Sequence, residues 1–236
     1  MRAMFRFTLT LTVFLLLSAR PALAQFDSGV SALRAGNYTA AQTFWQSCPE
    51  DGRCLYSLGY LAQFGLGRPA DLAAAKAFYT KAAAKNDGDA LYALGQFAEA
   101  GKTEAKDLAA ALKNYRAAAA TGTCPDAEYA VGRMILQGRG TPRDPVQALK
   151  WLRQAAGHHQ VAAEYMLGEA YESGWGVPAN RVEAYYWYRR AQEGDQTLLA
   201  EEDLEFQPAV ALKLLRRHLT AAQIRHVEER LAREKR

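Results

Sequence analysis

The chain repeats itself, and that repetition limits what it can fold into more than any other feature. The pairs Leu58-Gly59, Leu94-Gly95, Val131-Gly132 and Leu167-Gly168 place their glycines 36, 37 and 36 residues apart. Six residues after each comes a second glycine, at Gly65, Gly101, Gly138 and Gly174. Six further stands a residue suited to starting a helix: Asp71, Asp107, Asp144 or Asn180. Four later is always alanine, at Ala75, Ala111, Ala148 and Ala184, and aromatics follow at Phe78-Tyr79, Tyr115, Trp151 and Trp187-Tyr188. A fixed period of this length is the mark of stacked supersecondary units, each too small to bury its own apolar face.

Each unit reads as a helix of about 12 residues, a Gly-rich loop, and a second helix of about 14. Pro69, Pro142 and Pro178 fall in the loops, and Pro145 directly follows the cap Asp144, where its missing N–H costs nothing. Ala, Leu, Lys and Glu dominate and β-branched runs are absent, so no strands are expected. The fold class expected is therefore all-α, with four helix-pair repeats at 53–88, 89–125, 126–161 and 162–195. Residues 25–52 form a degenerate first repeat, with Asn37 capping a helix that carries Ala41 and Phe44-Trp45. Residues 196–236 form a C-terminal helical cap of two helices, the second opened by a capping box from Thr220 to Gln223.

Several stretches carry a family resemblance: Ala-Leu-Tyr-Ala-Leu-Gly at 90–95, Ala-Glu-Tyr-Met-Leu-Gly at 163–168, Gly-Trp-Gly-Val-Pro at 174–178 and Glu-Ala-Tyr-Tyr-Trp-Tyr-Arg-Arg-Ala at 183–191. The chain resembles the Sel-one-like repeat family, a right-handed α/α superhelical solenoid related to tetratricopeptide repeats. The second unit departs from the pattern, with Gly101-Lys102-Thr103 in place of Gly-x-Gly and Asn114 where the others place an aromatic. The resemblance implies a secreted bacterial adaptor or regulator, in envelope signalling, exopolysaccharide production, secretion or host contact. It also prompts a check for β-lactam chemistry, and no Ser-x-x-Lys occurs after residue 24.

The amino terminus reads as an export signal. Arg2 and Arg6 precede an uncharged, largely apolar run from Phe7 to Leu17, and Ala22-Leu23-Ala24 is a small-x-small site, so cleavage is expected before Gln25. The run is about 11 residues, short of the roughly 20 that a spanning helix needs. Removing Arg2, Arg6 and Arg20 lowers the formal charge from +4 to +1, and residues 213–236 hold eight of the remaining basic groups against three acids. Nucleic acid thus loses its electrostatic argument. The basic C-terminal helix either solvates the cap or touches anionic lipid or polymer. A periplasmic or secreted location permits disulfides, and Cys48 and Cys54, flanking a turn-rich stretch, are the preferred pair, leaving Cys124 as a small helix-start residue or a reactive thiol.

No motif for a nucleophile, a phosphate loop, a zinc site or a calcium loop is present, so neither catalytic residue, metal nor cofactor is expected. His158-His159, His218 and His226 read as solvated, and the acids as caps or exposed helix positions. Binding is the remaining function. With Cys54, Ala90, Ala127 and Ala163 as position 0, positions 0, 4, 7 and 8 share one helix side, and positions 2, 6 and 9 point opposite. Those positions are Tyr56, Tyr60 and Gln63; Tyr92, Gln96 and Glu99; Tyr129, Arg133 and Leu136; Tyr165, Glu169 and Glu172. The tyrosines at position 2 either line a groove for a protein or peptide partner or pack between successive repeats. The varied residues at 6 and 9 are the candidates for specificity. A protein-interaction scaffold without enzyme activity is the expectation. Its alternatives are a peptidoglycan or polysaccharide binder and, more remotely, a cell-wall or β-lactam hydrolase.

Overall fold

The computed structural model describes residues 22–194 and 207–235, all helices, turns and loops, with no strand among them. The expected export segment lies almost entirely outside the described residues. The chain divides into two compact units, residues 1–106 and 107–236.

The first unit holds α1 (22–34), α2 (Tyr38–Gln46), α3 (Gly52–Phe64), α4 (Leu72–Ala83) and α5 (Gly88–Ala100). Its N-terminal core joins Phe26, Val30 and Leu33 of α1 to Trp45, Leu58 and Leu61. Gly29 makes this approach possible, since a Cβ there would stand 2.1 Å from the Trp45 indole nitrogen. A disulfide links Cys48 to Cys54, tying the end of the α2 segment to α3. The second unit holds α6 (Leu108–Ala120), α7 (Pro125–Gln137), α8 (Pro145–Gly157), α9 (Val161–Ser173), α10 (Arg181–Glu193), α11 (Pro208–Leu215), a 3-10 turn at Arg216–His218, and α12 (Ala221–Glu234). Helices pack as neighbours in sequence, α3 on α4, α7 on α8 and α9 on α10.

The caps explain where the second helices begin. The backbone N–H of Ala74 donates to Asp71 at 2.8 Å, that of Ala110 to Asp107 at 2.8 Å and that of Gln147 to Asp144 at 2.9 Å, and Asn180 accepts from Val182 and Glu183. Asn37 caps α2 and Thr220 closes its capping box with Gln223. The first helices are capped as well, by Asp51, Asp87 and Gln160, which alignment on the second helices does not bring out. Each first helix ends on a left-handed glycine, Gly65, Gly101, Gly138 or Gly174, so the second repeat keeps this turn despite its altered loop.

The repeat glycines inside α3 and α9 serve close packing. A Cβ at Gly59 would meet the Tyr79 ring at 2.6 Å, and one at Gly168 the Tyr188 ring at 2.5 Å. Each pair is thereby pressed together over one aromatic ring. The cap helices bury Leu212, Leu215, Val227 and Leu231 against Tyr185, Tyr186 and Tyr188 of α10, so the aromatic cluster of the last repeat is core, with Trp187 half-buried beside it.

Candidate functional site

The residues expected to form a binding surface separate by position once neighbours are considered. Position 2 is interior. Tyr129 is 1% exposed and packs among Val161, Ala163 and Met166 of the following helix pair. Tyr56 lies half-buried against Ala90, Ala93 and Phe97 of α5, with its ring 5.5 Å from that of Tyr79. Tyr165 stacks 5.0 Å from Tyr188 and packs into the cluster that holds Leu212 and Leu215 of α11. Of the two readings of position 2, groove lining or packing between successive repeats, the burial of these three side chains favours packing. Tyr92 is half-buried on α5.

Position 9 is tied to the second helix. The Tyr79 hydroxyl donates to Gln63 at 3.0 Å, and in the last repeat the Tyr188 hydroxyl donates to Glu172 at 2.8 Å. The third repeat replaces both partners with apolar residues, Leu152 and Leu136, and the second carries Glu99 and Tyr115 at the same register. At Gln63 and Glu172, position 9 therefore follows the residue it faces across the pair.

Position 6 remains. Tyr60 on α3 is 36% exposed, and its ring lies 4.6 Å from that of Phe64, itself 54% exposed. Gln96 on α5, Arg133 on α7 and Glu169 on α9 are half-buried. Burial and the neighbouring Glu172 push the Glu169 carboxyl above its ordinary range. One frame thus presents an aromatic, an amide, a cation and an acid at a single register.

Two acids depart from the expectation that carboxylates cap helices or lie on exposed positions. Glu128 and Glu164, one residue after position 0, are 7% and 2% exposed. In the first two repeats that position is Leu55 and Leu91. Burial pushes the Glu164 carboxyl up to about 7, although Arg190 of α10 holds its Oε1 at 2.8 Å and opposes the shift. Arg190 also donates to the Ala156 carbonyl at 3.1 Å and sits 3.2 Å from His159 Nδ1. Because a guanidinium only donates, that ring nitrogen accepts. His159 adopts a left-handed backbone to reach this place, φ 60°. Glu128 has His158 Nε2 at 3.9 Å from Oε1, while Oε2 is buried without a hydrogen-bond partner, and burial raises its pKa too. His158 and His159 themselves are exposed. Among the described residues no group of three or more His, Cys, Asp or Glu could hold a metal.

Both halves of the C-terminal cap are bound to α10 by polar contacts, Arg216 in the turn after α11 donating to the Tyr185 hydroxyl at 3.0 Å. Arg189 grips Glu228 with two bonds, at 2.9 and 3.1 Å. Arg230 pairs with Glu183 at 3.0 Å and lies over the Tyr186 ring, whose hydroxyl donates to Glu234. Much of the basic tail is therefore engaged inside the protein. Cys124 is buried at the N-cap of α7.

Helix pairs in register, each ending its first helix on a left-handed glycine and opening its second on an Asp or Asn cap, define a tetratricopeptide-like α/α repeat protein. The Sel1 repeat model matches residues 52–87, 88–122, 125–158 and 161–194, well over half of the chain. The chain belongs to the Sel1 repeat family. Among solved structures it is similar to a Sel1 repeat protein from Oxalobacter formigenes, 23% identical, with a TM-score of 0.68 over 84% of this chain and 85% of that one. It is also similar to a protective antigen present in uropathogenic Escherichia coli strains displaying an SLR fold, 23% identical, with a TM-score of 0.54 over 88% of this chain and 51% of that one. No match was found among curated proteins.

Proposed function

We propose that this chain is a non-enzymatic, exported scaffold or regulator of the bacterial cell envelope, and that it engages a protein partner through the position-6 side of its first unit. Sel1 repeat proteins are generally protein-interaction scaffolds, which supplies the class. The observation that carries the reading is the exposed ring pair Tyr60–Phe64 on α3, since aromatic side chains held open to solvent on a rigid helix are typical anchors for a partner. Gln96, at the same register of the same unit, would set partner choice.

Export is supported by the basic, apolar and small-x-small order of residues 1–24, and by the Cys48–Cys54 disulfide, which suits an oxidising compartment. Cleavage before Gln25 would leave Phe26, Val30 and Leu33 in the core of the first unit. No helix among the described residues is long and apolar enough to cross a membrane.

The test is in-cell crosslinking from a photoreactive residue at position 96, in the same unit as Tyr60 and Phe64, followed by mass spectrometry of the captured species. The expected result is one protein at high yield, with capture reduced at least about tenfold by Tyr60→Ala with Phe64→Ala. Capture of murein or polysaccharide fragments alone would replace the protein partner by a glycan.

A further inference from the structure

The C-terminal cap carries a surface that the scaffold reading does not use. From Gln207 to Val227 the chain has no acidic residue, yet it holds Lys213, Arg216, Arg217 and Arg225 together with His218 and His226. Further along the tail, Arg230 pairs with Glu183 and Lys235 with Glu193 of α10, and Arg233 donates to the Glu229 carbonyl within α12. Lys213, Arg217 and Arg225 are exposed, and no ion pair within the described residues engages them.

Helical geometry gathers part of this charge beside apolar side chains. The inner side of α11 is Pro208, Leu212 and Leu215, all buried. At about 100° per residue, the opposite arc runs Arg216, Ala209, Lys213, Arg217, Val210, Leu214. Val210 and Leu214 are each 48% exposed, among the largest apolar side chains left open to solvent. One arc is therefore basic along one edge and apolar along the other. Arg189 and Gln192 of α10 join Ala209, Leu212, Lys213 and Arg216 around an open cleft of about 350 Å³, with no acid among its described lining residues. Arg189 faces Glu228, and Arg216 donates to the Tyr185 hydroxyl at 3.0 Å while lying over its ring, so Lys213 carries the cleft's unspent positive charge.

We infer that the outer face of α11 and the turn after it dock on an anionic lipid surface, with Lys213 and Arg217 at headgroup phosphates and Val210 and Leu214 in the interfacial layer. The charge extends from α11 through the 3-10 turn toward α12 as an area, and the two apolar side chains stand up beside it. A broad anionic surface fits that arrangement better than a single acidic side chain would. The attachment is peripheral and reversible, because only two apolar side chains enter the layer and the cations supply most of the attraction.

The experiment is flotation of the purified chain, with whichever N-terminus the cell leaves, on vesicles of equal parts phosphatidylglycerol and phosphatidylcholine against pure phosphatidylcholine. Variants share one background, so residues 1–24, if present, cancel between them. The expected result is a preference for the anionic vesicles that is abolished at about 0.5 M salt and weakened on the order of 30-fold by Lys213→Gln with Arg217→Gln. Val210→Ser with Leu214→Ser should weaken it less, and Lys81→Gln with Lys113→Gln, on α4 and α6, should leave it unchanged. Circular dichroism identical to the parent shows that each variant is folded. Equal binding to both vesicle types overturns the inference, as does anionic binding that survives Lys213→Gln with Arg217→Gln. So does in-cell crosslinking from position 214 that captures an acidic protein and no lipid. Tyr60→Ala with Phe64→Ala separates this surface from the scaffold face: it should abolish partner capture and leave flotation intact.

Discussion

The α3–α4 pair of the first unit and the α9–α10 pair of the second are built on one plan, yet they bury different chemistry at the same register. Each presses its first helix against an aromatic ring through a glycine, Gly59 on Tyr79 and Gly168 on Tyr188. One residue after position 0, however, α3 buries Leu55 and α9 buries Glu164. The leucine needs only apolar neighbours. The carboxylate is tolerated because Arg190 reaches it from α10, with His159 and the Ala156 carbonyl arranged around the same guanidinium. The repeat frame thus fixes helix spacing and leaves individual buried positions free to change character, provided that the neighbouring helix supplies the complement.

The largest expected effect comes from removing that complement. Arg190→Met should destabilise the protein by about 3–5 kcal/mol at pH 8, because the buried Glu164 carboxyl loses its paired guanidinium and keeps only the exposed His159 and Lys235 around it. Adding Glu164→Leu, which copies the first unit, should recover most of the loss and bring the double variant within about 1 kcal/mol of the parent. Urea denaturation followed by circular dichroism measures both. A loss below about 1 kcal/mol for Arg190→Met would mean that Glu164 is solvated when unpaired, and the contrast between the two pairs would dissolve.

The same carboxyl gives the second unit a pH dependence that Leu55 cannot give the first. Burial raises Glu164 from its ordinary 4.5 to about 7, so between these values the folded state holds a proton that the unfolded state has released. The contribution is fully present below about 4.5 and is lost as pH rises through about 7. The groups around it are His159 from the α8–α9 turn, Arg190 and Glu193 from α10, and Glu234 and Lys235 from α12. Glu193 and Glu234 act in the same direction as burial, and Arg190 against it. Parent stability relative to Glu164→Gln should therefore fall by roughly 1–3 kcal/mol from pH 5 to pH 8. Taking the difference between the two proteins removes Glu128, Glu169 and the more distant histidines from the comparison. A flat difference would show that Arg190 keeps Glu164 ionised throughout.

What the sequence made legible was the local part of this contrast. Helix starts at Asp71, Asp107, Asp144 and Asn180, and ends at the left-handed glycines, depend on a few adjacent residues and recur with the period. The surface was harder to read. A helical wheel gives an angle about one axis, and says nothing of a third helix packing on the far side. For that reason the sequence alone leaves Tyr56, Tyr129 and Tyr165 between groove and seam, and it is their burial that favours the seam. Glu128 and Glu164 were overlooked because carboxylates are surface residues by default. Their signal was in the alignment, where Leu55 and Leu91 give way to Glu128 and Glu164 just where His158 and His159 also enter. Gln63 and Glu172 were legible too, had position 9 been compared with the second helix: polar where that helix brings Tyr79 or Tyr188, apolar where it brings Leu152.

That last correspondence supplies the smallest test of the contrast between the two pairs. Tyr79 donates to the neutral amide of Gln63, and Tyr188 to the carboxylate of Glu172, with both bonds partly buried. A hydrogen bond to an ionised acceptor contributes roughly twice as much as one between neutral groups. Tyr188→Phe should then cost about 2 kcal/mol and Tyr79→Phe about 1 kcal/mol, since each leaves the packed ring in place and removes only the hydroxyl. Glu172→Gln should bring the Tyr188→Phe loss down to that of Tyr79→Phe, because it makes the two acceptors alike. Equal losses in the parent background would mean that solvent at Glu172 cancels the advantage of its charge. The two pairs would then differ only at the buried position that Leu55 and Glu164 occupy.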